Sequence, residues 1–478
     1  MNPAYPFPPI SAALLAAAAL CVPPAQAGER NDPFEALAAV PPLSGLRPAA
    51  PCQPVDLAAP LGLAEAVDIA LCNNPQTRQA WANARAQAAL VGVAQAAYLP
   101  AASATASASH NRNEASSGVN PATQRSLGVG LSYILFDFGA RAAGLENARQ
   151  LFAAAAGTRD ATVQMVFLSA VQAFFSRLSA DAVLRATLQS ETASLESLRA
   201  ADARYGVGTA TPADRLQART AHAQAVLNRI SAEGALKTAQ GTLANVLGAE
   251  PNRPLTLAPL PPAAPGAGFA ADVAQLIDAA RRRRPDLAAA EAQFRAAEAS
   301  IDAAQASHLP SLALGVGANR SHTSGQPGYD SSNIGLTLTI PIFSGFSTTY
   351  KVHAAEALAQ AQAARREQLR LQVALDVWNA HASLTTATQS VKSAEDLLES
   401  ATQSEQMAAG RYRAGVGSIL DLLTAQTALA NARLQRIQTG FNWYAARAAL
   451  AQAMGALDGA LLDELAPAGS RSTGTNRP

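Results

Sequence analysis

The side chains that most often carry out chemistry in proteins are scattered along this sequence. Six histidines are spread over both halves of the chain: His110, His222, His308, His322, His353 and His381. None belongs to the His-x-x-x-His pattern that binds a metal ion from one face of a helix. Gly315-Val316-Gly317 lacks the third glycine of a dinucleotide-binding loop, and neither a Walker lysine motif nor Gly-x-Ser-x-Gly occurs. These patterns predict that the protein is not an enzyme and holds no cofactor.

Charge is balanced, with 36 Lys and Arg against 35 Asp and Glu, which gives a formal net charge of +1. This balance argues against electrostatic binding to nucleic acid. The basic run Arg281 to Arg284 ends at Pro285 and is interpreted as a solvated helix end. Mean hydropathy is +0.05. Because no stretch of about 20 apolar residues occurs after residue 27, a polytopic helical membrane protein is excluded.

The first residues have the pattern of an export signal. Ile10 to Pro24 is a short apolar stretch that ends in the small-x-small cleavage pattern Ala25-Gln26-Ala27, so residues 1–27 are predicted to be a signal peptide. The mature chain then contains two cysteines, Cys52 and Cys72. They either form a disulfide that closes a loop of about 20 residues or remain two unreactive thiols. Export to an oxidising compartment favours the disulfide.

The sequence repeats itself once. Asn74-Pro75 recurs 210 residues later as Arg284-Pro285, whereas Arg204-Tyr205 recurs 207 residues later as Arg411-Tyr412. The difference of three residues predicts a shorter connection between strands in the second copy. Two repeats, 61–250 and 271–456, are therefore joined by a Pro-rich linker, 251–270. An N-terminal periplasmic segment, 28–60, precedes them, and a C-terminal tail, 457–478, follows.

Each repeat is predicted to run helix, two strands, long helix, turn and shorter helix. Leu63 to Leu99 is helical by composition and ends at a proline. Gly139 to Tyr205 contains no proline, so it predicts a helix roughly 100 Å long at about 1.5 Å per residue. Gly345 to Tyr412 predicts a second long helix. Pro212 to Leu247 is about half as long and would run back alongside the first.

Four segments alternate between apolar and small or polar residues, as half-exposed strands do. They are Leu127 to Leu135, Leu312 to Gly317, Ile334 to Ile342 and, more weakly, Ala101 to Ser109. Strands of about ten residues can cross an outer membrane when tilted. Four strands cannot close a barrel alone, so several chains must contribute, and three chains would give twelve strands around a lumen.

Aromatic residues cluster where the predicted strands meet the helices: Tyr98, Phe136, Phe138, Phe343, Phe346 and Tyr350. One interpretation is the aromatic girdle that outer-membrane barrels place at the lipid–water interface. Ordinary packing at a strand–helix junction is the other, and the sequence favours neither.

Each shorter helix begins with the same pattern, aromatic-x-x-Gly-x-x-Thr/Ser-x-x-Asp. Its residues are Tyr205, Gly208, Thr211 and Asp214 in the first repeat, and Tyr412, Gly415, Ser418 and Asp421 in the second. Glycine can take a positive φ in a tight turn, and Thr or Ser can cap the returning helix. With Phe136-Asp137-Phe138-Gly139 and Pro341-Ile342-Phe343-Ser344-Gly345 after the strands, the doubled motif resembles the TolC family of outer-membrane efflux proteins. The resemblance covers nearly all of residues 61–455.

That resemblance implies a mainly α-helical protein with membrane β-structure. It implies a homotrimer whose twelve-stranded barrel, with four strands from each chain, continues as a long antiparallel α-helical periplasmic tunnel. The location would be the outer membrane of a Gram-negative bacterium, in contact with its lipid. The partners would be a periplasmic adaptor (membrane fusion) protein and an inner-membrane ABC transporter or RND pump.

The resemblance also assigns roles to residues. In the family the turn motif docks the adaptor, and the matching positions here are Val207, Gly208, Thr209, Ala414, Gly415 and Val416. Ala414 departs from the usual valine, which weakens the assignment of the second turn. The family closes its tunnel tip with charged and polar side chains. Candidates on the long helix are Glu395, Asp396, Glu399 and Glu405, although a solvated helix face is the better explanation for most of these acids.

Three functions are consistent with this sequence. The first is the outer-membrane channel of a type I secretion system for a protein toxin, because the Cys52 to Cys72 segment and Leu71-Cys72-Asn73-Asn74-Pro75 resemble toxin-secretion members of the family. The second is the outer-membrane component of a multidrug efflux pump. The third is a non-channel periplasmic coiled-coil scaffold, which would need no membrane strands.

Overall fold

The computed structural model describes residues 32–41, 60–115, 118–253, 255–258 and 272–457. The predicted signal peptide, Cys52, most of the linker and nearly all of the C-terminal tail lie outside these residues. Cys72 is disulfide-bonded. Since its proposed partner is not among the described residues, the Cys52–Cys72 pairing stays a prediction.

The two repeats fold into the same series of elements. The first contains α1 (Leu63–Asn73), α2 (Pro75–Ala96), β1 (Ala101–Ala115), β2 (Gly118–Phe136), α3 (Ala140–Gly206) and α4 (Pro212–Val246). The second contains α5 (Val273–Arg283), α6 (Pro285–Ala306), β3 (Ser311–Thr323), β4 (Tyr329–Thr339), α7 (Ser347–Arg413) and α8 (Ile419–Ala453). Equivalent helices have equal lengths: α3 and α7 each have 67 residues, and α4 and α8 each have 35. The two long helices are thus confirmed.

The single helix predicted over Leu63 to Leu99 is wrong, because the chain breaks at Asn74. Asn74 is extended, with φ −61° and ψ 129°, as expected for a residue before proline. Its side chain supports the break in two directions. The amide nitrogen donates to the Val246 carbonyl oxygen at 3.0 Å, and the amide oxygen accepts from the Gln76 N–H at 2.9 Å. Arg284 marks the same break between α5 and α6.

The four strands form one antiparallel sheet in the order β1-β2-β3-β4. Both hairpins have the same register, since Ala102 pairs with Leu131 and Leu312 pairs with Leu338. The predicted strand from Ile334 to Ile342 extends too far, because β4 ends at Thr339. Pro341 has no N–H to donate to a strand ladder, which accounts for this early end.

The predicted length difference between the hairpins lies in the strands and not in their connection. β1 and β2 have 15 and 19 residues, whereas β3 and β4 have 13 and 11. The connection between β3 and β4, residues 324–328, is longer than that between β1 and β2. The first hairpin therefore extends farther from the helices than the second.

Helix α3 is the centre of the packing. Helices α1, α2 and α4 from its own repeat lie against it, as do α6 and α8 from the second repeat. Phe167, Phe174 and Phe175 of α3 are fully buried in the largest apolar core, and the Phe175 ring stacks on that of Tyr444 with 4.8 Å between centroids. By length and composition α3 could cross a membrane. Only 39% of the qualifying stretch is buried inside the described chain, although Phe167, Phe174 and Phe175 of this helix belong to the core.

Both strand–helix junctions hold a phenylalanine in a left-handed backbone conformation. Phe138 has φ 50° and Phe346 has φ 61°, and each lies next to a glycine with positive φ. Such a conformation costs a non-glycine residue of order 1–3 kcal/mol. Their rings, with those of Phe136 and Phe343, are exposed and form edge-to-face pairs at the base of the sheet. Exposed rings held on a strained backbone favour the girdle over junction packing.

A tryptophan in place of Phe343 would test the girdle. In vesicles containing lipids brominated near the headgroup, we expect fluorescence of Phe343→Trp to be quenched more than that of the parent protein, because the ring would lie at the lipid interface. The parent protein has three tryptophans of its own. The signal of the added tryptophan is therefore taken as the difference in fluorescence between variant and parent. Unchanged quenching would contradict the girdle and favour junction packing.

Candidate functional site: the paired helix turns

Two helix turns lie at the far ends of the long helices, on the side of the molecule opposite the sheet. Turn 1 (207–211) joins α3 to α4, and turn 2 (414–418) joins α7 to α8. In turn 1 the Thr209 N–H donates to the Arg204 carbonyl oxygen at 2.9 Å across Gly208, which has φ +75°. In turn 2 the Val416 N–H donates to the Arg411 carbonyl oxygen at 3.0 Å across Gly415, with φ +78°. The two turns thus have one geometry, as the doubled motif predicts.

The predicted capping residues begin the returning helices. The Asp214 N–H donates to the Thr211 hydroxyl at 3.2 Å, and the Thr211 N–H donates to the Asp214 carboxylate at 2.9 Å, which completes a capping box. Hydrogen bonds from the Thr211 backbone and hydroxyl hold the pKa of Asp214 below its usual range. In turn 2 the Asp421 N–H donates to the Ser418 hydroxyl at 3.1 Å.

Removing the first cap should loosen turn 1. Thr211→Ala is expected to cost about 1 kcal/mol of local stability, since it removes the N-cap hydrogen bond. The lowered pKa of Asp214 adds stability above the unfolded carboxyl pKa, about 3.9, and that stability is lost as pH falls through the lower folded value. Hydrogen exchange of turn 1 at neutral and acid pH measures both effects. Ser418→Ala is the matched variant in turn 2, and equal acid sensitivity in both turns would contradict the argument.

The crests of both turns expose apolar and small residues. Val207 is 75% exposed and Val416 is 70% exposed. A Cβ atom built on Gly208 or Gly415 would meet no atom of the chain within 4 Å. Each crest therefore offers an uncovered backbone with a valine beside it. This arrangement can bind another protein.

Arg204 ties the two turns together, and the motif did not predict this role. Its guanidinium donates to the Tyr412 carbonyl oxygen and lies over the Tyr412 ring, 4.2 Å from the centroid. Burial raises the pKa of the Tyr412 hydroxyl. Farther along the helices, the Ser197 hydroxyl donates to Oε1 of Gln426 at 3.1 Å. The signal for this contact was present in the sequence, because arginine precedes tyrosine in both repeats.

An ion pair that the sequence did not predict lies beside turn 1. Nε of Arg215 on α4 is 2.7 Å from the Asp202 carboxylate on α3. The Arg215 guanidinium is also 5.5 Å from the centre of the exposed Tyr205 ring. The pair holds the two helices together just behind the turn.

The four candidate tip acids do not form one cluster. Glu395 binds Arg436 on α8 at 2.7 Å, and Glu399 accepts a 3.3 Å hydrogen bond from Gln403 on its own helix. Glu395 and Asp396 precede the end of α7 by about 27 Å at about 1.5 Å per residue, whereas Glu405 is about 12 Å from it. The structure therefore gives Glu395 a role in holding α7 to α8. A role of these acids in closing the tip stays a prediction.

Arg284 fixes the break between α5 and α6, and its burial contradicts the interpretation of this arginine as part of a solvated helix end. Arg284 donates to Asp286 at 2.6 Å and to Asp376 on α7 at 2.7 Å. Burial opposes its charge, but the hydrogen bonds to both carboxylates outweigh that effect and raise the pKa of Arg284. Within the described part of the chain, no three His, Cys, Asp or Glu side chains are grouped so that they could hold a metal ion.

Comparison with known proteins assigns the chain to a family. Residues 66–249 and 276–456, which together include nearly all of both repeats, match the family model described as outer membrane efflux protein. The chain belongs to the outer membrane efflux protein family. The family consists of transport channels, and membership places this protein in the outer membrane with a large periplasmic portion.

Individual relatives of this outer membrane efflux protein have different names. It is 33% identical to Protein CyaE of Bordetella pertussis over 392 residues, which is 81% of this chain and 82% of that protein. It is 27% identical to the probable efflux pump outer membrane protein TtgC of Pseudomonas putida over 407 residues, 80% of this chain and 82% of the relative. Its fold matches the CmeC outer membrane channel of Campylobacter jejuni with a TM-score of 0.74 and 20% identity, over 82% of this chain and 85% of that one.

The fold of this efflux protein agrees with the sequence prediction. It is mainly helical, and each chain contributes a small sheet of four strands. Apolar side chains on β2 and β4 are exposed, among them Leu127, Leu131, Ile334, Leu336 and Leu338. A scaffold without membrane strands would have no use for these exposed apolar strands, so family and fold together argue against that alternative.

Proposed function

We propose that this protein is the outer-membrane channel-tunnel of a type I secretion system that exports a protein toxin. Three chains would close a twelve-stranded barrel above one periplasmic tunnel. A periplasmic adaptor would dock on turns 1 and 2, and an inner-membrane ABC transporter would supply the energy. The observation that carries the proposal is the pair of matching turns, whose open glycines and exposed valines repeat within one chain.

Two observations bear on the choice between secretion and drug efflux. Identity to Protein CyaE is 33%, against 27% to a relative named as a probable efflux pump protein, over similar shares of the chain. The segment around Cys72 also resembles toxin-secretion members of the family. Multidrug efflux, with an RND pump in place of the ABC transporter, is the second candidate, because several relatives carry efflux names.

Deletion of the gene separates the two candidates. We expect the deletion strain to lose one large secreted protein and to keep its tolerance to dyes, detergents and antibiotics. Secreted proteins are compared by gel and mass spectrometry, and drug tolerance is measured by growth inhibition. Normal secretion with broad drug hypersensitivity would overturn the secretion proposal in favour of efflux.

Complementation provides the control. The wild-type gene should restore secretion, whereas a gene for a chain lacking residues 207–209 and 414–416 should restore outer-membrane protein but not secretion. Full secretion through that shortened chain would contradict adaptor docking at the turns.

A further inference from the structure

Helix α7 has an open lateral surface whose equivalent on α3 is covered. Within the chain, α3 of the first repeat packs against α6 and α8 of the second. The repeat relates α3 to α7, α6 to α2, and α8 to α4. No comparable packing of α7 on α2 or α4 occurs within the described chain. Within the described chain, this surface of α7 therefore has no covering helix.

Near the turns, two residues of the second repeat are buried, whereas their counterparts in the first repeat are exposed. Tyr412 is 6% exposed, but its counterpart Tyr205 is 41% exposed. Leu423 is 9% exposed, but its counterpart Leu216 is 60% exposed. The second-repeat residues are covered because α3 of the first repeat lies against them. Tyr205 has the Arg215 guanidinium of its own repeat 5.5 Å from its ring centre, but both first-repeat residues remain exposed within the described chain.

The side chains that cover the second repeat identify what could cover the first. Tyr412 is covered by the Arg204 guanidinium, and Leu423 shares an apolar cluster with Ala200. Adding 207 to these numbers gives Arg411 and Met407, both of which are exposed on α7. Arginine is thus conserved between the repeats, and a larger apolar side chain replaces alanine. The contact that the first repeat lacks is available on α7 of another copy.

We propose that Arg411 and Met407 of one chain cover Tyr205 and Leu216 of a second copy of this chain. The Arg411 guanidinium would stack on the Tyr205 ring and donate to its carbonyl oxygen, as Arg204 does to Tyr412 within the chain. Contacts within chains and between chains would then alternate around the tunnel tip. The proposal rests on the proposed channel, since it requires neighbouring copies in a closed ring.

Cysteine pairs test this interface in the full-length protein in outer membranes. Leu216→Cys with Met407→Cys should form disulfide-linked dimers and trimers under mild oxidation, seen on non-reducing gels. The matched pair Ala200→Cys with Leu423→Cys should link within one chain and leave a monomer band. Each single variant controls for pairing with the native cysteines. Linked monomers in place of multimers from the first pair would contradict the proposal.

A second measurement addresses the arginine. Arg411→Gln should speed hydrogen exchange of the segment from Tyr205 to Thr209 by about tenfold, because the neighbouring chain loses its contact with that turn. Arg413→Gln, an equally exposed neighbour, should leave the rate unchanged. Equal rates in Arg411→Gln and wild type would overturn the arginine contact.

The outcomes distinguish this inference from the proposed function. Intact trimers that resist cross-linking of Leu216→Cys with Met407→Cys, with Tyr205 reached instead by an adaptor cross-link, would reject this interface and leave the channel proposal standing. Absence of trimers from the outer-membrane fraction would reject both.

Discussion

Valine at Gly208 and Gly415 should reduce export by at least tenfold while the protein still reaches the outer membrane. Both glycines have positive φ, at +75° and +78°, and a β-branched residue in that region costs about 1–2 kcal/mol. No atom lies within 4 Å of either added Cβ, so the cost comes from the backbone and not from a clash. Because about 1.4 kcal/mol corresponds to tenfold in an equilibrium, distortion of both turns should strongly weaken docking.

The measurement is the amount of cargo in the medium relative to channel protein in the outer-membrane fraction. Gly206→Val and Gly410→Val are matched controls, since these glycines lie in the same long helices without positive φ and also have open space around them. We expect both controls to export normally. A similar loss in the controls would attribute the effect to added bulk and contradict the conformational explanation.

Alanine at Gly248 should be among the most destabilising single changes in the chain. Gly248 has φ +70°, and an added Cβ would lie 2.7 Å from the Asn73 carbonyl oxygen, a backbone atom that cannot rotate away. Strain and clash together should cost about 2–4 kcal/mol and lower the yield of folded channel. Its counterpart Gly455 has its nearest atoms at 3.1 Å, so Gly455→Ala should cost less.

Thermal unfolding of the purified protein, followed by circular dichroism in detergent, measures this difference. Gly241→Ala is the matched control, because Gly241 lies within α4 and its nearest neighbour would be at 3.6 Å, an ordinary contact. Replacing a helical glycine by alanine should stabilise the helix by about 1 kcal/mol. If Gly248→Ala unfolds at the temperature of the parent protein, the close approach to Asn73 does not limit stability.

The long helices and the turns could be predicted because local signals decide them. Absence of proline defines α3, and glycine with Thr211 defines the turn and the cap. The break at Asn74 was missed because helical composition was given more weight than Pro75, which restricts the residue before it. The end of β4 was missed for a related reason, since alternation continues past Pro341 although its backbone cannot pair.

Contacts between elements that are distant along the chain could not be predicted from the sequence. Neither the link between Arg204 and Tyr412 nor the burial of Arg284 between Asp286 and Asp376 follows from periodicity, since each depends on which helices become neighbours. The internal repeat did indicate that an arginine and a tyrosine are important near the turns, because Arg-Tyr occurs before both of them. The four candidate acids were placed on the long helix from the family resemblance, and the fold spreads them over about 15 Å of that helix at about 1.5 Å per residue.

The unequal lengths of the two hairpins determine how many equivalent binding sites the proposed channel would present at its outer end. A tilted strand of about 9–11 residues crosses the membrane. β3 and β4, with 13 and 11 residues, are close to that length, whereas β1 and β2 have 15 and 19 residues. In the proposed trimer, three tall hairpins would alternate with three short ones at the cell surface. The periplasmic end of that trimer, built from two matching turns per chain, would offer six similar docking points. An antibody raised against the tall hairpins, or a phage fibre that binds them, would find three equivalent binding sites on each channel. A blocker with three linked arms would therefore gain the most avidity.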